Sequence, residues 1–138
     1  MASIHAETFI NVPVEDAWAA LSDWGALHTR LVPGFVVDTR QDGKDRLVTF
    51  FNGTVARERF VDRDDDARRL VWTVIESPLG YLHHNASAQA IAQDGGTRFV
   101  WVADILPHEV ADTVRELMEH GVTVIKQTLE SAARGSDR

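Results

Sequence analysis

The chain has 138 residues, of which 14 are basic and 21 acidic, giving a formal net charge of −7 at pH 7. Phosphates repel such a protein, so neither nucleic acid nor an anionic membrane surface is expected as a partner. Cysteine is absent, which excludes disulfides and thiolate metal sites. No signal peptide and no apolar run of membrane-spanning length are seen, so we expect a cytoplasmic protein.

The first elements predicted along the chain are a strand and two short helices. Residues 3–10 alternate as a β-strand does, with Ile4 and Ala6 on one face. Pro13 suits the first turn of a helix. Apolar residues at helical spacing follow it, so we expect a short amphipathic helix there. A second brief helix is expected over 23–30.

The middle of the sequence predicts six further strands separated by tight turns. The turns contain the Gly, Asp and Asn residues that hairpins use, as in QDGK, FNGT and QDGG. The expected strands are 35–41, 45–52, 54–63, 68–76, 83–92 and 97–106. The short spacing between turns indicates an antiparallel meander rather than βαβ units.

A long helix is expected to follow Pro107 and to run to about Ala133, leaving 134–138 as a flexible tail. Its apolar stripe consists of Val110, Val114, Leu117, Gly121 and Ile125. The order of elements predicts a single α+β domain over 1–138, in which a curved seven-stranded antiparallel sheet (β-α-α-β6-α) wraps around the terminal helix. Such an arrangement leaves an internal cavity that side chains or a ligand must fill.

The stretch GYLHHNASAQA, residues 80–90, alternates like a strand but carries small and polar side chains where a packed sheet favours Val, Ile or Phe. The QDGG hairpin pairs Asn85 with Asp104 and Ser87 with Val102, so these four residues share one face. The opposite face carries His84, Ala86, Ala88, Ala90, Phe99, Trp101 and Ile105. Parity alone does not say which face is inside.

Four segments carry a family resemblance: INVPVEDAWAALSDW, FFNGTVARERFVDRDDDARRLVWTVIE, HHNASAQA and FVWVADILP, followed by the closing helix. Together they resemble the START-like, or helix-grip, superfamily, and especially its polyketide cyclase/dehydrase branch. The resemblance extends to about residue 130 and implies the helix-grip fold. It is less specific for activity, because that superfamily includes lipid carriers, hormone receptors, cyclases and chaperone partners.

The plant abscisic-acid receptors of this superfamily suggest which face is inside. By analogy, FNGTV lies where their gate loop lies, and SPLGYLHHN where their latch loop lies. This likeness implies that the polar face of the two strands lines the cavity. The implied ligand-binding residues are Thr49, Phe51, Asn52, Trp72, Val74, His83, Asn85, Ser87, Val102, Met118 and Val122.

The candidate catalytic residues are Glu58, His83 and Asp104. Burial in an apolar cavity can tune a carboxylate for proton transfer near neutral pH. Proton abstraction beside a carbonyl, the step needed for an aldol closure or a dehydration, requires such a base. The alternative is structural: Asp104 is satisfied by Asn85, and Glu58 pairs with Arg57 or Arg59.

Neither a metal nor a cofactor is expected. His83 and His84 are neighbours on a strand and therefore point to opposite faces. His108 and His120 lie about 120° apart around the last helix at 3.6 residues per turn. Neither pair can share an ion.

The preferred function is binding of a small hydrophobic or aromatic, polyketide- or lipid-like ligand, because local spacing fixes no acid/base pair. The alternative is a cyclase or dehydratase that uses the cavity carboxylates or histidine. A third hypothesis, a chaperone-associated helper, requires a functional outer surface. Phe99 and Trp101 fall on the face assigned to solvent, and exposed aromatic residues indicate a partner surface or a homodimer.

Overall fold

The computed structural model describes residues 1–136. Its strands are β1 (Ala2–Ile10), β2 (Val36–Asp42), β3 (Asp45–Phe50), β4 (Val55–Asp64), β5 (Arg69–Glu76), β6 (His83–Gln93) and β7 (Gly96–Leu106). Its α-helices are α1 (Val14–Leu21) and α2 (Ala111–Ser136). Within the predicted flexible tail, 134–136 continue α2, whereas 137–138 lie outside the described residues.

Within residues 1–136, one curved antiparallel sheet holds seven strands in the order β1-β7-β6-β5-β4-β3-β2. The strands β2 to β7 form a meander in which each strand lies beside the next. Tight turns join them, except that the loop 77–82 joins β5 to β6. At the β3–β4 turn the backbone of Gly53 has a φ of 84°, a conformation that glycine adopts without steric cost. The predicted fold class, a helix-grip α+β fold with a long C-terminal helix, is confirmed.

The region predicted as a second helix, 23–30, forms two short turns of other types. Trp24–Ala26 is a 3₁₀ turn, and Leu27–Leu31 is a π-helical turn. The π-helical turn packs against β2 and α2. This segment therefore covers one end of the space between the sheet and α2.

The helix α2 packs against β1 and β7 of the sheet. Its buried residues recur at helical spacing: Ala111, Val114, Met118, Gly121, Val122, Ile125 and Leu129. Val110, predicted to begin the apolar stripe, lies in a 3₁₀ turn before the helix. Gly121 allows a close approach of the sheet, because a Cβ atom there would lie 2.7 Å from Cζ3 of Trp101.

The register between β6 and β7 is as predicted, but the faces are the reverse of those predicted. Asn85 pairs with Asp104, and Ser87 pairs with Val102. These residues lie on the outer face of the sheet. The buried residues of β6 are His84, Ala86, Ala88 and Ala90.

The edge strand β1 shows why the faces lie this way. Ile4 and Ala6 are buried, and they pair with Ala103 and Trp101 of β7. Pairing partners share a face, so the aromatic side of β7 is the inner one. Phe99 is buried and Trp101 is half-buried. The expectation that these two rings face solvent was wrong, and the homodimer hypothesis loses the observation on which it depended.

Candidate functional site

A cavity of about 300 Å³ lies between the sheet and α2. Most of its lining is aliphatic or aromatic and includes Leu21, Leu31, Val36, Val48, Leu70, Trp72, Phe99, Trp101, Val114, Leu117, Met118 and Ile125. Its volume is at the lower end of the range typical of small-molecule sites, roughly 300–1,000 Å³. The cavity therefore suits a compact apolar molecule.

Small side chains on the sheet provide this space. Ala56 on β4, Ala88 on β6 and Ala103 on β7 all line the cavity. Ala88 pairs directly with Trp101, so a methyl group lies beside a large ring on the inner face of the two strands. In the 80–90 stretch, the alanines therefore face the cavity and leave space in it. The Asn and Ser of the same stretch lie on the outer face of the sheet.

The mouth of the cavity is marked by those lining residues that are exposed. Phe51 and Asn52 belong to the β3–β4 turn, Pro78 to the β5–β6 loop, and Thr113 to the first turn of α2. The ring of Phe51 lies 6.3 Å from that of His120 on α2, measured between centroids. The turn and the helix thus meet beside the opening.

A buried ion pair lies on the cavity wall, where β3 and β4 pair Arg46 with Glu58. Nε of Arg46 donates a hydrogen bond of 2.8 Å to Oε1 of Glu58. The side chains are only 4% and 10% exposed. The guanidinium carbon lies 3.7 Å from the ring centroid of Trp24, and Nη1 donates to the Trp24 carbonyl oxygen at 3.1 Å. Burial lowers the pKa of Arg46, while Glu58 opposes that shift.

A second polar group on the wall consists of Tyr81 and His84, whose ring centroids lie 5.0 Å apart. The backbone N–H of Val74 donates to Nδ1 of His84 at 3.0 Å. Burial is the main cause that lowers the pKa of His84 to about 4, and the charge of His83 adds to it. Burial also raises the pKa of Tyr81 to about 12, with a smaller contribution from Glu58. Both side chains are therefore neutral at physiological pH.

The cavity lining includes Phe51, Asn52, Glu58, Trp72, Val74 and Met118 from the predicted site. Turn, strand and helix positions all contribute to this set. Contact of these residues with a ligand stays a prediction.

The other predicted site residues lie outside the cavity lining: Thr49, His83, Asn85, Ser87, Val102, Asp104 and Val122. The reversed faces of β6 and β7 explain why the residues on these two strands lie outside the cavity: His83, Asn85, Ser87, Val102 and Asp104. Val48 and Ala56 pair with each other and both line the cavity. Successive residues of a strand point to opposite faces, so Thr49, the neighbour of Val48, lies on the outer side of β3. His83 and Asp104 cannot touch a molecule in the cavity from the outer face, so their predicted catalytic role is corrected. Val122 is buried in α2 without lining the cavity.

Arg46, Tyr81 and His84 were missed as candidate site residues. The sequence did carry a signal for His84, because it shares a face with the alanines of β6 and, across the pairing, with Phe99 and Trp101. The apolar side of β1 would have identified that face as the inner one. Tyr81 lies in a loop, where alternation gives no information.

Two kinds of feature are absent from the described part of the chain. No group of three or more His, Asp or Glu residues within 1–136 is arranged to hold a metal ion. None of the helices in that range is both long and apolar enough to cross a membrane.

Comparison of structures identifies proteins with the same fold. An uncharacterized protein from Bacillus thuringiensis has a TM-score of 0.83 at 14% identity, covering 93% of this chain and 98% of that one. A protein from Thermobifida fusca, solved by NMR, has a TM-score of 0.77 at 26% identity, with coverages of 99% and 95%. Norcoclaurine synthase from Thalictrum flavum, in complex with dopamine and hydroxybenzaldehyde, has a TM-score of 0.72 at 17% identity, with coverages of 97% and 87%.

Comparison of sequences gives the family. No curated protein matches the chain significantly. The model of a family described as polyketide cyclase / dehydrase and lipid transport matches residues 1–134. The chain therefore belongs to the polyketide cyclase/dehydrase and lipid transport family, within the START-like, helix-grip superfamily.

Proposed function

We propose that the protein binds a small hydrophobic or aromatic molecule in the cavity between the sheet and α2. The observation that carries this proposal is the cavity of about 300 Å³, whose lining is mostly aliphatic and aromatic and includes a minority of polar side chains. An apolar pocket with a small number of placed polar groups is the usual form of a small-molecule site. Family membership supports hydrophobic ligand binding at the same coarse level.

The aromatic lining favours a flat ligand. Trp72 and Trp101 both line the cavity, with ring centroids 6.2 Å apart. Ring faces of this kind pack well against planar molecules, which gain contact area at little entropic cost. A ligand of one to three fused rings, with the outline of a small polyketide, fits this lining.

The proposal is tested by filling the cavity. Ala88→Leu places three more carbon atoms in the space that the small side chain leaves, and Ser87→Leu makes a comparable change on the outer face of the same strand. The probe is the hydrocarbon 2-isopropenylnaphthalene, followed by ligand-observed NMR. We expect at least about a tenfold loss of affinity in Ala88→Leu and little change in Ser87→Leu, since roughly 1.4 kcal/mol corresponds to tenfold. Equal binding by both variants, each shown to be folded, would overturn the proposal.

A second candidate function is acid–base catalysis of the cyclase or dehydratase type, and the position of Glu58 on the cavity wall favours it. In this function the Glu58 carboxylate would accept a proton from a carbon beside a carbonyl group of the bound molecule. Native mass spectrometry of the purified protein would identify the bound molecule, and turnover would then be measured on that scaffold. Glu58→Gln leaves the buried Arg46 without its charged partner, so it is compared at a temperature where circular dichroism shows it folded. There it should abolish turnover and keep binding, whereas Asp104→Asn on the outer face should change neither. Binding without turnover in the unaltered protein would reject catalysis and leave the binding function intact.

A further inference from the structure

The end of the β5–β6 loop and the start of β6 bring two neutral polar rings together on the cavity wall. Tyr81 and His84 both line the cavity, and their ring centroids are 5.0 Å apart. Tyr81 is the chain's single tyrosine.

The backbone of β5 fixes the tautomer of His84. The N–H of Val74 donates to Nδ1 at 3.0 Å, so Nδ1 must carry a lone pair and not a proton. Burial holds the pKa of this imidazole at about 4, so the ring is neutral near pH 7, and its one proton is on Nε2. The Nε2–H group points away from β5, because the two ring nitrogens lie on opposite sides of the imidazole.

Tyr81 supplies a second neutral donor. Burial raises the pKa of its hydroxyl to about 12, so the O–H proton is retained at physiological pH. Within residues 1–136, neither the Tyr81 hydroxyl nor Nε2 of His84 has a hydrogen-bond partner. Both donors are therefore available to a molecule in the cavity.

The charges nearby favour a neutral acceptor over an anion. The guanidinium of Arg46 is already paired with Glu58 at 2.8 Å, so it offers no free positive charge. The Glu58 carboxylate contributes to the raised pKa of Tyr81, so the ion pair presents no excess of positive charge that would attract a ligand carboxylate. A carbonyl oxygen has two lone pairs and no charge, and it can accept from both donors at once.

We infer that the Tyr81 hydroxyl and the Nε2–H of His84 form a paired donor site that binds the carbonyl oxygen of a neutral aromatic ketone or aldehyde. This inference rests on the proposed binding function and specifies its ligand class. Two neutral donors aimed at one oxygen also stabilise negative charge that develops there, as an oxyanion hole does. The same pair would therefore assist the acid–base chemistry if Glu58 proves to act as a base.

The test compares three probes of one shape. These are 2-acetylnaphthalene, its hydrocarbon analogue 2-isopropenylnaphthalene, and the anion 2-naphthoate. A hydrogen bond contributes about 0.5–1.5 kcal/mol, so two of them should make the ketone roughly 5- to 150-fold tighter than the hydrocarbon. The anion should bind more weakly than the ketone. Tighter binding of the anion would overturn the inference.

Variants then assign the preference to the two side chains. Tyr81→Phe removes one donor and keeps the ring. His84→Asn keeps an acceptor for the Val74 N–H but no longer reaches the position of Nε2. Each should reduce the ketone-to-hydrocarbon affinity ratio by about 2- to 10-fold, whereas His83→Asn, on the outer face of the same strand, should leave the ratio unchanged.

Infrared spectroscopy of the bound ketone gives a readout that a purely structural role would not move. Its C=O stretch should lie at lower frequency in the unaltered protein than in Tyr81→Phe. If hydrocarbon and ketone bind equally and no variant changes their ratio, the donor pair is refuted while the binding function stands. If no probe of this set binds the unaltered protein, both proposals are refuted together.

Discussion

Removing the cation of the buried ion pair should destabilise the protein strongly. The Arg46 and Glu58 side chains are 4% and 10% exposed, so Arg46→Met would leave a carboxylate in an apolar wall without a partner. Removing one member of such a pair costs about 3–5 kcal/mol. At about 3 °C per kcal/mol for a chain of this length, the melting temperature should fall by roughly 10–15 °C.

The double variant separates the cost of an unpaired charge from the value of the pair. Arg46→Met with Glu58→Leu removes both charges and keeps apolar volume. It should therefore recover most of the stability lost in Arg46→Met. Urea denaturation at pH 7, followed by tryptophan fluorescence, measures the free energy of unfolding for each variant.

An exposed arginine provides the matched control. Arg115 pairs with Asp112 on the surface of α2, and these side chains are 46% and 98% exposed. Arg115→Met should cost less than about 0.5 kcal/mol, as exposed pairs do. A loss below about 1 kcal/mol in Arg46→Met, or a double variant no more stable than Arg46→Met, would refute the reasoning.

Two further predictions concern stability. The pKa of His84 is about 4 in the folded protein and 6.5 ordinarily, so the unfolded state binds more protons between these values, and stability falls as pH drops from about 6.5 to 4. The loss is at most about 3.5 kcal/mol at 1.4 kcal/mol per pH unit. Denaturation across this pH range should show a smaller loss of stability in His84→Asn, and equal pH slopes for the two proteins would contradict the prediction. Gly121→Ala would put a Cβ 2.7 Å from Cζ3 of Trp101. Overpacking of this kind costs about 1–3 kcal/mol, and this cost should outweigh the gain in helix propensity of about 1 kcal/mol, so the melting temperature should fall. Gly135→Ala, with open space around it on the same helix, should not lower the melting temperature, and the reverse order of the two variants would be inconsistent with the packing.

The sequence predicted the sheet well because hairpin turns fix register locally. The QDGG turn was enough to pair Asn85 with Asp104. The turn could not show which face of the sheet is inner, because the same turn and register fit either face being buried. That choice depends on β1, more than ninety positions away in sequence, where Ile4 pairs with Ala103.

The polar part of the site was harder to predict for the same reason. Arg46 and Glu58 are twelve residues apart and meet only when β3 and β4 pair. The tautomer of His84 depends on a backbone N–H of β5, which no side-chain pattern encodes. Tertiary pairing, rather than local spacing, therefore determines the chemistry of the cavity wall.

The central claim is that the cavity between the sheet and α2 receives an apolar ligand, and the two methionines allow a direct test. Met118 lines the cavity and is 2% exposed, whereas Met1 is 69% exposed. The protein would be labelled with ¹³C at the methionine methyl groups and titrated with 2-isopropenylnaphthalene. We predict intermolecular nuclear Overhauser effects from the probe to the Met118 methyl group and none to that of Met1. Saturable binding of the probe with no such effect at Met118 would contradict the account.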